Sequence, residues 1–513
     1  MDIQSFIPKP RCRCLSIAAG LATLCASALI LPLTSSAIQA QGAAQRKSAT
    51  DLSAPEVMSL RRGVAKMMSR NGAPRGSADF RRSWLYWANM HLHFGDDCAG
   101  PISGSGMNGV QTFTASNDDE MATWCTCEHG TDQFLTWHRM YLWYFERVLQ
   151  DAAGDSSLRL PYWDYETDGR VPPAYRDANY VNDQGQTLPN PLRVNARQPS
   201  LNAGTSPLDA NVTSTSTAMA DPDFLSFSND LENTPHGAVH CATVTGGCPN
   251  GLMGSVPVAA LDPVFYAHHT NIDRLYECWL SVNPSQRLPN DAALLDRTFT
   301  FVDADGSAPQ RRVRDMLTTA QLGYTYAAGG GCPPSTVAQN NPATESAAVT
   351  PASEQTLATA GPTRIEATLT TVPMAVSSQG QETVAGPGSR APGRTYVTID
   401  GLQYDQPPGG LYNVYLQGKA GQKQQIGVIN FFALAPSGST AQTGHKGHAR
   451  TKGSFRFDAT EAVKQLGLGP DVAPSLMFEP TSGLAGSATE TAATQPMNAQ
   501  ANVRFESARI VRR

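Results

Sequence analysis

Eight of the ten histidines in this chain lie between His91 and His269, in pairs or near-pairs. His236 and His240 are four residues apart, so on a helix both imidazoles face the same way and reach one metal ion. Two histidines arise at this spacing by chance fairly often, and a single histidine is commonly a packed core residue. Eight clustered histidines constrain the fold far more, because the segments that carry them must converge.

His129 and His138 are nine residues apart. That separation rotates a helix by about 900°, which places the two side chains on opposite faces. The two imidazoles meet at one metal only if His129 lies in the loop before the helix, and Gly130 directly after it allows such a loop. We therefore predict a loop that ends in a helix here.

The adjacent histidines His268 and His269 diverge by about 100° on a helix, so only one of them binds in a given site. His91 and His93 pose the same choice. Each half of the cluster then supplies three imidazoles. Six neutral imidazoles without a set of thiolates or carboxylates favour a pair of copper ions over structural zinc, and the zinc hydrolase signature His-Glu-x-x-His is absent.

The composition permits a large core and excludes several function classes. Of the 513 residues, 41% are apolar and 16% are charged, which is incompatible with a disordered polyelectrolyte. The net charge of −5 lacks the excess of positive charge that is typical of nucleic-acid-binding proteins. A chain of this length is expected to form several domains.

The N-terminus has the pattern of an export signal. Basic residues at positions 9–13 precede an apolar run over 15–33, and small residues follow up to Ala40. The alternative is a membrane anchor, although Pro32 interrupts the apolar run and a polar segment follows it directly. We predict that residues 1–40 are a secretion signal, that the protein is periplasmic or secreted, and that no stable membrane span remains after cleavage.

Export places the cysteines in an oxidising compartment. Three of the ten cysteines belong to the expected signal, and the seven that remain are Cys98, Cys125, Cys127, Cys241, Cys248, Cys278 and Cys332. An odd number implies that one cysteine has a separate fate. The short segment between Cys241 and Cys248 is the disulfide loop that we favour.

Residues 51–332 are rich in aromatic residues and have helical patterning. Helical periodicity runs from Phe134 to Leu149 and again from Asp262 to Leu280. The stretch from Tyr165 to Ala220 is rich in Asn, Asp, Pro and Gly and predicts a long surface loop.

The remainder of the chain changes character twice. Residues 333–362 have almost no aromatic side chains and predict an interdomain linker. Beyond it, residues 363–513 contain segments that alternate at strand period between Gly and Pro turns, which predicts a small β sandwich.

Four strings in this order carry a resemblance to a known family: Cys127-x-His129-x8-His138-Arg139, Leu160-Pro-Tyr-Trp-Asp164, Glu232-Asn-Thr-Pro-His236-x3-His240 and Asp262-Pro-x-Phe-x-x-His268-His269-x-Asn271-x-Asp273-Arg274. Together they resemble the tyrosinase and polyphenol oxidase family, whose members are type 3 (coupled binuclear) copper enzymes. The resemblance covers roughly residues 91–279. It implies a mainly α catalytic domain, with a four-helix bundle around a di-copper site, followed by a β-sandwich domain.

The resemblance assigns six copper ligands. The first copper is expected to take His91, His129 and His138, and the second His236, His240 and His269. His91 is preferred to His93 because TrpAlaAsnMetHis aligns with the family's helix that ends in its first ligand. His269 is preferred to His268 because the second histidine of the adjacent pair binds copper in the family.

Further roles follow from the same resemblance. Cys127 stands where fungal members form a thioether between a cysteine and the ligand histidine, here His129. Cys98 is the alternative, because plant members use a cysteine shortly after the first ligand. Asp273 and Arg274 are expected to form a buried pair that braces the ligand helix, the alternative being an ion pair on the helix surface.

The expected chemistry is oxidation of o-diphenols to o-quinones with O2, with small phenols as the partners. The alternatives are oxygen binding of the hemocyanin kind and oxidation of o-aminophenols. Members that hydroxylate monophenols well resemble one another in a Glu ahead of the fourth ligand and often an Asn after it. Here Glu232 is present but Gly237 follows His236, so we expect weaker monophenol hydroxylation.

Two further expectations concern access to the site. Alignment of the Met-Gly turn places Val256 where plant members carry a Phe that covers a copper, which predicts a more open mouth. The linker and the β domain suggest that this domain closes the mouth as a lid, at high effective concentration and without tight affinity. The alternative is a domain that only stabilises or oligomerises the enzyme.

Overall fold

The computed structural model describes residues 44–91, 118–124, 126–332, 354–377, 393–419, 421–438, 450–468, 473–486 and 497–513. The expected secretion signal, His93, Cys98 and Cys125 lie outside these ranges, as do residues 333–353. Within the described ranges, no helix has both the length and the apolar character needed to cross a membrane.

The first half of the described chain is mainly helical. Its helices and one later helix are α1 Ala54–Ser69, α2 Ala78–Arg81, α3 Trp84–Met90, α4 Asp118–Trp124, α5 Phe134–Ala153, α6 Pro199–Ala203, α7 Ser216–Met219, α8 Phe224–Leu231, α9 Ala238–Thr243, α10 Val264–Val282, α11 Pro284–Arg287, α12 Ala292–Asp296, α13 Thr319–Leu322 and α14 Thr460–Gln465. The two predicted long helices are confirmed as α5 and α10. α5 ends at Gly154, whose φ of 64° is the left-handed conformation that favours glycine at this position.

The helical core forms where α5 packs against α1 and α10. The approach of α1 to α5 is close, because a side chain added at Gly63 would meet Leu149 at 2.8 Å. Large aromatic side chains such as Trp87, Trp137 and Tyr141 are fully buried in this core. Their burial provides the main apolar driving force for folding of this domain.

The second half of the chain is mainly β. The strands of the molecule are β1 Ala44–Arg46, β2 Asn179–Val181, β3 Thr187–Pro189, β4 Thr298–Thr300, β5 Gln310–Arg312, β6 Tyr324–Tyr326, β7 Gln355–Ala360, β8 Thr363–Ile365, β9 Thr370–Pro373, β10 Ala375–Val376, β11 Thr395–Leu402, β12 Leu411–Gln417, β13 Lys423–Ile429, β14 Gly453–Asp458, β15 Ser475–Thr481, β16 Val503–Phe505 and β17 Ser507–Arg512. A five-stranded sheet has the order β10-β7-β17-β11-β14, and a four-stranded sheet the order β13-β12-β15-β9. The predicted class, a helical domain followed by a β sandwich, is confirmed.

The linker prediction is wrong at its C-terminal end. Residues 355–360 form β7, which pairs antiparallel with β17 inside the five-stranded sheet. The β domain therefore begins before residue 363. The pairing partner lies about 150 residues away in sequence, and a long-range contact of this kind leaves no local signal in the composition.

The surface-loop prediction for residues 165–220 also needs correction. This stretch lacks long elements, but it contains α6, α7 and the β2–β3 hairpin. Val171, Leu192, Leu201 and Val212 within it are buried. The segment is therefore packed against the core, and spaced apolar residues provide that packing without helical or strand periodicity.

Two disulfides are formed in the described chain. Cys241–Cys248 is the predicted bridge, and Cys278–Cys332 is a second one that ties α10 to the end of the helical domain. Among the described residues, Cys127 is the free cysteine, and it is buried.

Candidate metal centre

His91 follows the last residue of α3 and caps that helix. Its Nδ1 lies 3.1 Å from the carbonyl oxygen of Val256. Because a carbonyl oxygen only accepts, Nδ1 carries the proton, and Nε2 is the nitrogen with the lone pair for a metal. Val256 is itself buried, so the backbone at the predicted gate position orients this imidazole.

The loop predicted before α5 is confirmed. Gly130 has a φ of 66°, and the chain turns there before the helix begins at Phe134. The turn brings His129 next to His138, with ring centroids 5.1 Å apart. His138 donates from Nδ1 to the carbonyl oxygen of Phe134 at 2.7 Å, which again leaves Nε2 for a metal.

His236 and His240 are placed by a distortion between α8 and α9. Pro235 has no N–H to donate, and Thr234 before it takes the extended conformation with φ −144° and ψ 122°. The chain is kinked at Thr234 and then enters α9 at Ala238. Nδ1 of His236 lies 3.1 Å from the carbonyl oxygen of Glu232.

The second group is completed from α10. Nδ1 of His240 lies 2.6 Å from the carbonyl oxygen of Met253, and Nε2 of His240 lies 3.4 Å from Nε2 of His269. Two nitrogen ligands about 2 Å from one ion at a tetrahedral angle are separated by roughly this distance. His268 also belongs to the group geometrically, and its ring stacks on that of His236 with centroids 5.5 Å apart.

The two groups face each other. The ligand atoms of His91, Cys127, His129 and His138 lie within 4.8 Å of one another, as do those of His236, His240, His268 and His269. The rings of His138 and His269, one from each group, are stacked with centroids 4.6 Å apart. Two metal ions held by these groups would therefore be neighbours.

All six imidazoles are buried, and those of the second group are held neutral by that burial. All six expected ligands are at most 2% exposed. Burial is the main cause that holds the pKa of His236, His240 and His269 well below the ordinary value, and the neighbouring imidazoles act in the same direction. Neutral nitrogen donors at close range fit a copper ion, and the protein has no need to shed protons to bind it.

Cys127 lies beside the first group. Its Sγ is 3.5 Å from Nδ1 of His129. Burial, and then the charges of Glu128 and Glu232, raise the pKa of this thiol well above its ordinary value. The proximity that a bond between Cys127 and His129 requires is present.

Glu232 is fully buried next to the second group, and its Oε1 accepts a hydrogen bond of 2.6 Å from the backbone N–H of Gly130. Burial raises the pKa of Glu232 to about 7, while the charge of Arg450 opposes that rise. A side chain added at Gly237 would meet Oδ1 of Asn430 at 2.7 Å. The position after His236 is therefore filled from the β domain.

Asp273 and Arg274 are both buried, but each has its own partners, so the expected pairing of the two with one another is wrong. Asp273 accepts from Nε of Arg139 at 2.5 Å, and from the hydroxyls of Tyr324 and Tyr326. Consecutive residues on a helix point about 100° apart, which directs the two side chains to different neighbours.

Arg274 extends from a different side of α10 and has its own set of partners. It donates to Glu166 at 2.8 Å and to Asn271 at 2.7 Å, and lies 3.5 Å from Asp164. Asp164 ends the Leu160–Asp164 motif, whose Trp163 N–H donates to the carbonyl of Ala267 at 2.9 Å. Both charged residues brace α10, as expected, through separate networks.

One side chain of the β domain reaches the histidines, and sequence reasoning did not identify it. The ring of Phe432 stacks on His240 with centroids 4.0 Å apart and an angle of 11° between the planes. Its centroid also lies 5.3 Å from that of His236 and 6.0 Å from that of His129. Phe432 lies in an ordinary strand-end sequence, IleAsnPhePhe, and nothing local distinguishes it from Phe431.

Comparison with known proteins agrees with this geometry. Residues 81–217 and 193–282 match the common central domain of tyrosinase, and residues 289–331 match the polyphenol oxidase middle domain. The chain is 34% identical to tyrosinase HcTyr1 of Hahella sp. (strain CCB-MM4) over 235 residues, which is 40% of this chain and 48% of that protein. It is 27% identical to aureusidin synthase of Antirrhinum majus over 280 residues, 48% of this chain and 46% of that protein.

The fold is similar to that of solved polyphenol oxidases. A latent aurone synthase (polyphenol oxidase) aligns with a TM-score of 0.57 and 16% identity over 92% of this chain and 90% of that one. A latent apple tyrosinase aligns with a TM-score of 0.52 and 17% identity over 92% and 98%. The chain spans about half the length of the curated relatives that it matches. With both domain matches in sequence order and the histidine groups converging in space, residues 81–282 form a tyrosinase-type central domain and residues 289–331 a polyphenol oxidase middle domain.

Proposed function

We propose that this protein is a type 3 copper oxidoreductase that oxidises o-diphenols to o-quinones with O2. The observation that supports the proposal most directly is the pair of facing groups of buried, neutral imidazoles. The proposed ligands are His91, His129 and His138 for one copper and His236, His240 and His269 for the other. When bound, the two copper ions supply the site for O2 and the electron acceptor for the phenol.

The chain's own residues hold and orient the site. Backbone carbonyls fix four of the imidazoles through Nδ1, namely those of His91, His138, His236 and His240. Rings such as Phe134 and Phe265 pack against the histidines, at 4.7 Å from His236 and 4.2 Å from His269, and exclude bulk water. A rigid, dry pocket with an aromatic lining suits a planar phenol.

Glu232 is the proposed base for monophenols. Its carboxylate can take the proton of an incoming phenol hydroxyl, and a pKa of about 7 suits a base that works near neutral pH. Gly237, at the position after His236, has no side-chain amide to act with Glu232. Monophenol hydroxylation is therefore the weaker activity, and Glu232→Gln should lower monophenol turnover more than diphenol turnover. Equal losses on tyramine and dopamine would remove this role.

Cys127 and His129 are the proposed thioether pair. The bond would join Sγ to a ring carbon of His129 with loss of two hydrogens, and bound copper with O2 would supply the two-electron oxidant. Mass spectrometry of copper-loaded protein should find a peptide lighter by two hydrogen atoms, and Cys127→Ser should lack that loss. An unchanged mass after full copper loading would leave the cysteine a packed thiol.

The β domain is the proposed lid. Phe432 occupies the face of His240 that a phenol ring would use, and Asn430 fills the space beside Gly237. Asn430 donates to the carbonyl of Asn233 at 2.8 Å, which anchors this edge of the lid. Val256, whose carbonyl contacts His91, is the proposed gate position, and Val256→Phe should weaken the binding of bulky phenols selectively once the lid is open.

The direct test is a copper count together with oxygen uptake on 4-methylcatechol. Two coppers per chain and quinone formation, strongest after a cut within residues 333–353, support the proposal. Full copper and reversible O2 binding without quinone would instead indicate a carrier of the hemocyanin kind. An o-aminophenol tested in parallel separates the substrate classes, because the same imidazole site could oxidise either.

A further inference from the structure

The four imidazoles that backbone carbonyls orient are held in two different ways. His138 and His236 each donate to the carbonyl oxygen of the residue four places earlier in the chain. His91 and His240 instead donate to carbonyl oxygens of one short segment, residues 253–256. A single piece of loop therefore orients one imidazole in each of the two histidine groups.

These two hydrogen bonds join residues that are distant along the chain. Nδ1 of His240 lies 2.6 Å from the carbonyl oxygen of Met253, which is 13 residues away. Nδ1 of His91 lies 3.1 Å from the carbonyl oxygen of Val256, which is 165 residues away. Neither acceptor is supplied by the helix that carries its histidine, so both bonds depend on how the loop between α9 and Val256 is held.

A disulfide closes the beginning of that loop. Residues 244–255, all of which the structure describes, contain neither a helix nor a strand. Cys241 directly follows the expected ligand His240, and its bridge to Cys248 ties the loop back to α9. Both cysteines are fully buried, so the bridge lies inside the molecule next to the second histidine group.

The backbone between the bridge and the two acceptors is compact. The N–H of Asn250 donates to the carbonyl of Gly247 at 3.0 Å, and that of Ser255 donates to the carbonyl of Leu252 at 3.1 Å. A side chain added at Gly254 would collide with the carbonyl oxygen of Asn250. Because these turns are tightly packed, a displacement of the loop at the bridge displaces the acceptors as well.

We propose that the Cys241–Cys248 bridge is a positioning element of the metal centre. It holds residues 253–256 so that their carbonyls keep the rings of His240 and His91 in one orientation, with Nδ1 protonated and Nε2 as the metal-binding nitrogen. Hydrogen-bond partners behind ligand imidazoles typically change metal affinity by about 10–100-fold. This inference rests on the proposed function and concerns how that site is held.

The second disulfide provides a matched control. Cys278–Cys332 spans 54 residues of sequence, whereas Cys241–Cys248 spans 7, and a longer closed loop restricts the unfolded chain more. Cys241→Ala/Cys248→Ala should lower copper affinity about tenfold or more, measured by competition with a copper chelator, and should change the unfolding midpoint little. Cys278→Ala/Cys332→Ala should lower the midpoint more and leave copper affinity unchanged.

The copper-free, full-length chain gives a readout that does not depend on activity. With 15N-labelled histidine, the Nδ1–H signals of His240 and His91 should weaken in the first double variant. Those of His138 and His236 should persist, because their acceptors lie four residues away on their own segments. Unchanged signals and copper affinity would overturn the proposal, and so would an equal loss of all four signals, which would mean that the bridge only stabilises the fold.

A second variant tests the loop with the bridge intact. Gly254→Ala forces the backbone beside Met253 to move away from the carbonyl oxygen of Asn250. It should lower copper affinity and weaken the Nδ1–H signal of His240, and an unchanged protein would contradict the role given to this segment.

If the first double variant does not fold, the Cys278→Ala/Cys332→Ala chain is folded and then reduced with a phosphine. The same selective loss at His240 is expected, and its absence after complete reduction would overturn the proposal. Full copper without oxidation of any catechol by the unaltered protein would instead overturn the oxidase proposal, while the copper-free spectra would still judge the role of the bridge.

Discussion

The histidine centre of the helical domain and the contact between that domain and the β domain are both buried, but they use different chemistry. At the centre, neutral imidazoles are oriented by nearby backbone carbonyls and surrounded by aromatic rings. At the contact, Arg456 of β14 pairs with Asp221 and Asp230 of the helical domain, both at 2.5 Å. Backbone pairing adds to it, with Asp209 donating to Gly483 at 2.9 Å and Ala485 to Pro207 at 3.0 Å.

For the proposed lid, this difference distinguishes the part that stays packed from the part that must separate. An apolar, close-packed centre loses its contacts when it opens and gains nothing from water. Charged and polar groups at a contact can be solvated again when they separate, so opening costs less. A lid that must leave the site is better held by the second kind of contact, with one aromatic ring as the plug.

The largest expected effect comes from the buried ion pairs that Asp273 of α10 forms. Asp273→Ala removes the carboxylate that Arg139 and Arg46 share. It should cost about 3–5 kcal/mol, because each buried guanidinium keeps only one carboxylate partner, Glu277 or Glu146. Thermal and urea unfolding of the copper-free protein measure this loss of unfolding free energy. Asp315→Ala, at an exposed pair with Arg312, should leave the unfolding midpoint unchanged. A similarly small loss for both variants would contradict the distinction between buried and exposed charges.

The contact should be weakened next most by Arg456→Gln. Asp221 and Asp230 then lose the guanidinium that joins them to the β domain, which should disfavour closure by about 2–5 kcal/mol. Catechol turnover of the full-length chain should rise while its copper content stays constant. Arg509→Gln is the matched control, since Arg509 pairs with Glu354 and Asp400 inside the β domain. Equal activation by both variants would mean that turnover rises because the β domain is destabilised, and not because the contact between the domains is weakened.

Phe432→Ala should remove the plug without loosening the charged contact. Access to His240 should improve, and catechol turnover should rise by about tenfold or more if the closed form predominates. Phe505→Ala serves as control, because its ring packs on Phe478 within the β domain at 5.8 Å. Turnover that stays flat after Phe432→Ala, with copper intact, would mean that the β domain is a structural partner rather than a lid.

The smallest expected effect is a pH dependence of closure. Burial, and then the charge of Asp230, raise the pKa of Asp221 to about 8 in the closed form. In the open form a solvated Asp returns to about 3.9, so opening releases a proton and becomes easier as pH rises from about 4 to 8. The charged and titratable groups that act on this pair are Arg456, Asp223, Arg287, Tyr396 and Arg513.

The measurement is the ratio of turnover in the full-length protein to that in Phe432→Ala, which cancels the pH dependence of the chemistry itself. The ratio should increase between pH 5 and pH 8, by up to tenfold for each pH unit over which closure keeps Asp221 protonated. Asp221→Asn should flatten it. A ratio that falls as pH rises would reverse the assigned sign and exclude Asp221 as the controlling group.

Much of the histidine centre follows from the sequence alone, since its signals are local. The spacing of His236 and His240, the Gly130 turn before α5 and the short Cys241–Cys248 loop depend on a few neighbouring residues. Helical periodicity likewise predicted α5 and α10, because a buried helix face repeats along the chain. The motif order then sufficed to name the family.

The tertiary structure decided which distant groups meet. Four contacts join residues from opposite halves of the chain: Phe432 with His240, Arg450 with Gly130, Asn430 with the space at Gly237, and Arg456 with two aspartates. The same holds for the separate partners of Asp273 and Arg274, and for β7, which was predicted as linker. Such contacts depend on how two domains pack. No local period or turn residue encodes that arrangement, so the sequence alone predicted the histidine centre, and only the fold could determine what covers it.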